Sequence, residues 1–130
     1  KNKYSLKGIF VVFEVIFYES GNGEKPALNS ILKIKDAKSR AKVFRSLKLL
    51  ETFGNALGEP DTAPLGNEIF ELRTKQGSNI VRCLYFYRKG KIIIVTNSFI
   101  KKTQKTPKSE IELALERKTD YEKKHQHTTR

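Results

Sequence analysis

Apolar residues run almost unbroken from Ile9 to Tyr18, and β-branched and aromatic side chains dominate the run. This pattern predicts a strand buried on both faces, ended by Ser20-Gly21-Asn22-Gly23. Pro26 suits the first turn of a short helix, where its missing N–H costs nothing, and Leu28, Ile31 and Leu32 fall on one side of that helix. Asp36 is placed to cap a second helix in which Val43, Leu47 and Leu50 repeat at helical spacing, Phe44 and Phe53 widen the stripe and Gly54 stops the chain. Both helices read as packing elements. Asn55 to Gly66, with two Gly and two Pro among polar residues, reads as a loop. Three strands follow, Glu68 to Thr74, Ile80 to Tyr87 and Ile92 to Phe99, joined by Gln76-Gly77-Ser78-Asn79 and Lys89-Gly90 as an antiparallel meander. Thr106 and Pro107 predict the N-cap and first position of a last helix, with Ile111, Ala114 and Leu115 facing inward.

With 130 residues, 38% of them hydrophobic, the chain has enough apolar material for one core and too little for two. The expected organisation is a single domain over residues 1–124 and a polar tail over 125–130, the two histidines being part of that tail. A lone cysteine excludes a disulfide framework and a cysteine-based zinc site. Cys83 sits in an apolar run, as a buried thiol of a reducing, cytoplasmic compartment does. Lys1, Lys3 and Lys7 imitate the start of a signal peptide, yet Glu14 interrupts the apolar run and no small-residue cleavage site follows. No run approaches the apolar length that spans a bilayer, so a membrane is not an expected partner.

Charge changes this picture through its placement. Residues 1–70 carry 11 Lys and Arg against 8 Asp and Glu, and residues 109–130 carry 5 against 5. Residues 71–108 carry 10 basic residues against Glu71 alone, so they hold most of the formal net charge of +12. Such a field gathers polyanions and speeds their association. A lysine-rich solubilising face is the plainer alternative. Tyr85, Phe86, Tyr87 and Phe99 interleave with the cations, where they can stack on bases or serve as core residues of strands.

Few chemistries remain open. The body of the chain has no Gly-rich phosphate loop, no metal-ligand cluster and no Ser-His-Asp set, so no metal or other cofactor is expected. Alternate residues of a strand share a face, which puts Glu71 with Arg73, and Arg82 with Ile80, Leu84 and Phe86. An arginine on so apolar a strand face requires a partner. Arg82 is therefore either a ligand-binding residue or one half of a salt bridge to Glu71.

The segments Glu71-Leu72-Arg73, Val81-Arg82-Cys83-Leu84-Tyr85 and Phe99-Ile100-Lys101-Lys102-Thr103-Gln104-Lys105-Thr106-Pro107 closely resemble the phage-derived, HigB-like branch of the RelE/ParE toxin superfamily. The resemblance covers the chain from the first strand to the last helix and is densest in the lysine run. It implies an α+β, RelE-like fold: N-terminal helices packed on a twisted, mainly antiparallel four-stranded sheet, with a C-terminal helix. It also implies the toxin of a type II toxin–antitoxin system, a ribosome-dependent endoribonuclease that enters the A site and cuts messenger RNA through the ribose 2′-hydroxyl without a metal. The implied partners are the ribosome and its messenger, and a helix-turn-helix, HigA-like antitoxin through which alone operator DNA is met. Matched motif by motif, Arg73, Arg82 and Lys102 surround the scissile phosphate, and Lys75, Arg88, Lys91, Lys101, Lys105 and Tyr85 bind the RNA. Several relatives carry a His, Asp or Tyr for proton transfer near the chain end, whereas this chain has no His before His125. That role passes to a lysine of depressed pKa, to Tyr85 or Tyr87, or to ribosomal groups. The alternative functions are a ParE-like inhibitor of DNA gyrase and a non-catalytic RNA-binding relative. The last helix and the exposed sides of the first two are the candidate antitoxin contacts.

Overall fold

In the computed structural model, residues 13–101 and 105–126 are described. The elements are β1 (Glu14–Phe17), α1 (Pro26–Leu32), α2 (Ala37–Phe53), a 3₁₀ turn (Gly54–Leu57), β2 (Thr62–Gly66), β3 (Ile69–Gln76), β4 (Asn79–Arg88), β5 (Ile92–Lys101) and α3 (Lys108–Lys124). They form an α+β fold around one sheet in the order β1-β5-β4-β3-β2. Strands β2 to β5 pair antiparallel, as the meander predicts, and β1 joins β5 in parallel.

The sheet has five strands where four are expected. The extra strand, β2, lies in the stretch that reads as a loop: Pro and Gly mask its signal, because proline is tolerated in a sheet only where no ladder hydrogen bond is needed, as at an edge. Pro64 stands on that outer strand, and the register slips between Pro64 and Gly66. The opposite edge also departs from expectation. Glu14 of β1 is exposed and Val15, Ile16 and Phe17 are only half-buried, so β1 is an edge strand; Ile9 to Val12 lie outside the described residues.

Alternation along the strands divides the core. One face packs Leu72, Val81, Cys83, Tyr85, Ile93 and Val95 against Ala27, Ile31, Val43, Leu47 and Leu50 of α1 and α2. The other packs Ile69, Leu84, Phe86 and Ile94 against Ala114 and Tyr121 of α3. In α2 the stripe is narrower than its composition suggests: Phe44 and Phe53 are exposed, as is Leu32 of α1, whose place in the core is taken by Ala27. Asp36 caps α2 as expected, accepting from the backbone N–H of Lys38. At the other end Gly54 has φ +56°, and a Cβ there would stand 2.7 Å from the Phe13 ring and 3.0 Å from the Tyr87 hydroxyl.

A β-bulge sets the position of α3. The register of β4 on β5 shifts at Leu84 and Tyr85, which leaves Thr96 as the extra residue. Its hydroxyl donates to the Leu84 carbonyl at 3.2 Å, and its own carbonyl accepts from Arg117 of α3 at 2.9 Å. The neighbouring Asn97 donates to the backbone and side chain of Glu110. α3 thus lies along β4 and β5 with its first turn over the middle of the sheet. His125 stacks on Tyr121 at 3.9 Å, and its carbonyl accepts from Arg88 Nη2 at 2.6 Å.

Two outcomes test this packing. Gly54→Ala is expected to lower unfolding stability by about 1–3 kcal/mol, from overpacking against Phe13 and a left-handed backbone, measured by urea denaturation. Cys83 is fully buried, and burial pushes its thiol up to about 11; it should stay unmodified by iodoacetamide at pH 8 in the folded protein and react once urea unfolds it.

Candidate nucleic-acid interface

The only acidic residue of the basic segment is its structural centre. Glu71 points from β3 to the α3 face of the sheet and is completely buried. Two residues on, Arg73 shares that face, and the register of β3 on β4 sets Arg82 directly opposite Arg73. Arg73 Nε donates to Glu71 Oε2 at 2.5 Å, and Arg82 Nη1 donates to the same oxygen at 2.8 Å. The Thr106 hydroxyl donates to Glu71 Oε1 and in turn accepts from Arg82 Nη1 at 3.4 Å. Each contact to the carboxylate is charge-assisted, which makes it shorter and stronger than a neutral hydrogen bond. Burying one carboxylate is tolerated here because two cations and a hydroxyl replace its water.

The two arginines are not equivalent. Arg82 is 1% exposed, whereas the side chain of Arg73 retains 29% exposure. Arg73 Nη1 reaches Glu59, an exposed carboxylate at 3.3 Å, and the Pro60 carbonyl at 3.4 Å. Hydrogen bonding to Glu71 raises the Arg73 pKa further, so its charge is permanent. The salt bridge considered for Arg82 from sequence is therefore present. Arg82 stands behind Arg73 as a support rather than beside it at the surface.

Thr106 does not act as the expected N-cap. Pro107 occupies that position without a side-chain hydrogen bond, and the threonine hydroxyl serves Glu71 instead. The hydroxyl proton goes to the buried carboxylate, which would otherwise be short of a donor, and its oxygen accepts from Arg82 Nη1. The result ties the first turn of α3 to the arginine pair.

Beyond that turn no helix among the described residues covers the sheet face. Phe99 of β5 lies opposite Arg82 and is half-buried, Lys101 lies opposite Ile80, and Lys75 pairs with Ile80 from β3. Lys75, Lys101 and Lys105 are all exposed around this opening. Lys102 lies outside the described residues.

The remaining candidates separate from this group. Arg88 is six residues along β4 from Arg82, about 20 Å in an extended strand, and its guanidinium is engaged with the His125 carbonyl and the Tyr121 ring. Lys91 is exposed in the turn at that same far end. Tyr85 leaves the interface altogether: it is fully buried on the helical face of the sheet, stacked on Phe70 at 5.7 Å, with its hydroxyl donating to Asn55 at 2.6 Å. Burial raises the pKa of Tyr85 and, less deeply, that of Tyr87 on the same face. Neither tyrosine faces Arg73, so the proposed proton-transfer role of both is corrected. Among the described residues no group of three or more His, Cys, Asp and Glu side chains is gathered as a metal set.

Sequence reasoning missed Glu71 as the organiser, Thr106 as its partner and Glu59 as the outer contact of Arg73. The signal for Glu71 was its isolation: one acid among ten cations. Thr106 gave no such signal, since Thr before Pro reads equally well as a cap.

Residues 31–119 match the family described as phage-derived protein Gp49-like (DUF891). The matched part begins in α1, ends in α3 and contains Glu71, Arg73, Arg82 and Thr106. Over 54 residues the chain is 43% identical to a protein named probable endoribonuclease HigB1 in Mycobacterium tuberculosis strain CDC 1551 / Oshkosh, and equally to one of the same name in strain ATCC 25618 / H37Rv. That alignment spans 42% of this chain and 42% of each relative. With the arginine pair, its buried carboxylate and the whole α3-facing site inside a family match that covers more than half its length, the chain belongs to the Gp49-like family of RelE/HigB-like toxins.

Proposed function

We propose that this chain is the toxin of a type II toxin–antitoxin pair and acts as a ribosome-dependent endoribonuclease that cuts messenger RNA in the A site. The observation that carries the reading is Arg73, a partly exposed arginine fixed by a buried carboxylate, at the end of the sheet where Lys75, Lys101 and Lys105 are exposed. The relatives' name, probable endoribonuclease, supports the same chemistry.

Cleavage through the 2′-hydroxyl forms a bond from O2′ to phosphorus and breaks the bond to O5′, and negative charge builds on the non-bridging oxygens meanwhile. A cation already held in place stabilises that charge without reorganising. Arg73 suits this role because Glu71 fixes its Nε while Nη1 is held on the outside by Glu59, whose side chain is 67% exposed. An exposed ion pair contributes little, so a phosphate displaces Glu59 at small cost. Arg82 works behind it: by sharing Glu71 it keeps that carboxylate from cancelling the charge of Arg73. Lys102, next to Lys101 in the chain, joins Arg73 at the phosphate, Lys75, Lys101 and Lys105 guide the strand, and the half-buried Phe99 offers a ring to an unstacked base. Proton transfer falls to a lysine of this rim or to a ribosomal group. A helix-turn-helix antitoxin completes the pair.

The asymmetry between the arginines yields two outcomes. Arg73→Ala is expected to reduce messenger cleavage by roughly 10²–10³-fold and, because it removes one of the two cationic donors of the buried Glu71, to lower unfolding stability by about 1–3 kcal/mol. Primer extension after induction and thermal unfolding measure the two effects; an Arg73→Ala chain that stays folded and arrests growth as fully as wild type sinks the assignment. A DNA-damage response without messenger cuts would point to gyrase instead. Arg82→Ala leaves Glu71 short of a buried cation and should cost about 3–5 kcal/mol of stability, so its loss of activity should follow its loss of fold in urea denaturation.

A further inference from the structure

The exposed large apolar side chains among the described residues all lie on one side of the molecule. They are Leu32 of α1, Phe44, Leu49 and Phe53 of α2, and Ile100 of β5, between 38% and 54% exposed. Ile100 pairs with Val81, which packs in the core beneath α1 and α2, so it shares their side of the sheet. Glu71 and Arg73 are on the other side. α3 contributes no such residue; its exposed positions include Glu112, Glu116, Thr119, Glu122 and Lys123. Apolar exposure gathered on one face marks a surface that another molecule covers, and nothing in the cleavage reading uses this one.

The same face is basic. From Lys33 to Phe53 the chain carries seven Lys and Arg against Asp36 and Glu51. Both acids are committed to their own backbone: Asp36 accepts from Lys38 N and the Ser39 hydroxyl, and Glu51 Oε2 accepts from Val15 N of β1 at 3.0 Å. Arg40 and Lys42 are likewise committed, to carbonyls of the α1–α2 link and to that of Lys75. Lys33, Lys35, Lys38, Arg45 and Lys48 are exposed. On α2 a hollow of about 400 Å³ opens between Lys42, Arg45, Ser46, Lys48, Leu49 and Thr52. The aliphatic stems of Arg45 and Lys48 line it with Leu49, while their charged ends stand in water.

Chemistry selects the occupant. A second copy of this face, or the chain's own residues 1–12 with three lysines and no acid, would meet it with like charge. An RNA backbone satisfies the cations and leaves the aliphatic side chains wet. A membrane buries one apolar stripe of a helix, whereas Phe44 and Phe53, nine residues apart, stand on opposite flanks of α2, about 180° around it, with Arg45 and Lys48 between them. A protein segment both apolar and acidic fits all of these features. We propose that the outer face of α2 docks an acidic amphipathic helix of a protein partner, with one apolar residue of that helix in the hollow beside Leu49 and its carboxylates on Arg45 and Lys48. On the toxin reading, on which this inference rests, the partner is the antitoxin, seated across the sheet from Arg73.

Isothermal titration of the full chain with the full-length antitoxin, and separately with a short single-stranded oligoribonucleotide, tests it. Leu49→Asp and the double variant Arg45→Glu/Lys48→Glu should each weaken antitoxin binding by at least roughly tenfold, and the double variant should also flatten the fall of affinity with added salt. Glu112→Lys on α3 should leave the affinity unchanged. All three variants should keep the wild-type thermal unfolding and the wild-type binding of inorganic phosphate at Arg73, because the substituted side chains are exposed and distant from it. An antitoxin that does not bind the wild type, unchanged affinity in both α2 variants, or a loss confined to Glu112→Lys overturns the docking face. Loss of a dimer in sedimentation, or of oligoribonucleotide binding, with antitoxin affinity kept, gives the face to a second copy or to RNA and overturns it as well. Messenger cleavage separates the two readings. A chain that cuts messenger while its α2 variants keep the antitoxin loses the docking face alone, and a chain that cuts none while those variants lose the antitoxin loses the nuclease reading alone.

Discussion

One buried carboxylate organises the functional end of this protein. Glu71 has no water around it, so every lone pair it presents requires a protein donor. Those donors come from three different elements: Arg73 from β3, Arg82 from β4 and Thr106 from the segment that leads into α3. Burial therefore turns a local charge requirement into a tertiary constraint. The carboxylate fixes the rotamer of Arg73, ties two strands together across their register, and anchors the start of the last helix. An arginine so held loses little further freedom on meeting an anion, which is the meaning of a preorganised site.

The same constraint explains why the basic segment does not act as one surface. α3 begins where Thr106 meets Glu71 and runs toward Arg88, pinned along the way at the Thr96 bulge by Asn97 and Arg117. It covers the apolar half of the sheet face, and no other described helix covers the rest. The ten cations of residues 71–108 are thereby sorted. Lys75, Lys101 and Lys105 rim the opening near Arg73, whereas Arg88 is spent on packing the C-terminal end of α3. Charge density along the sequence marks the basic segment as a whole, but which of its cations stand together is decided by where the helix lies.

Much of the fold is legible in the pattern of apolar residues. Both N-terminal helices, the Asp36 cap, the Gly54 stop and the three meander strands stand where periodicity and turn chemistry place them, and the last helix begins one residue later than Thr106 and Pro107 suggest, because each is specified mainly by residues within a few positions of one another. β2 is the exception. An edge strand that carries Pro64 and ends at Gly66 has no alternation to read and is made a strand by its pairing with β3. β1 fails differently: its apolar run suggested burial on both faces, but its place at the sheet edge leaves it half-exposed.

For the site, the sequence by itself determined the chemistry: a strand-borne Glu and Arg two residues apart, a second arginine on an apolar face, and a lysine run after the last strand. Alternation even placed Glu71 and Arg73 on one side. Tertiary structure decided the roles. Strand register set Arg82 opposite Arg73 and buried it, the pleat turned Tyr85 to the core beneath α1 and α2 and away from Arg73, and the Thr96 bulge aimed α3 so that Thr106 serves Glu71 instead of capping a helix. The physical reason is that burial and register are properties of pairs of segments distant in the chain. A single segment states which side chain it carries, while only its partner determines whether that side chain meets water, a core or a charge.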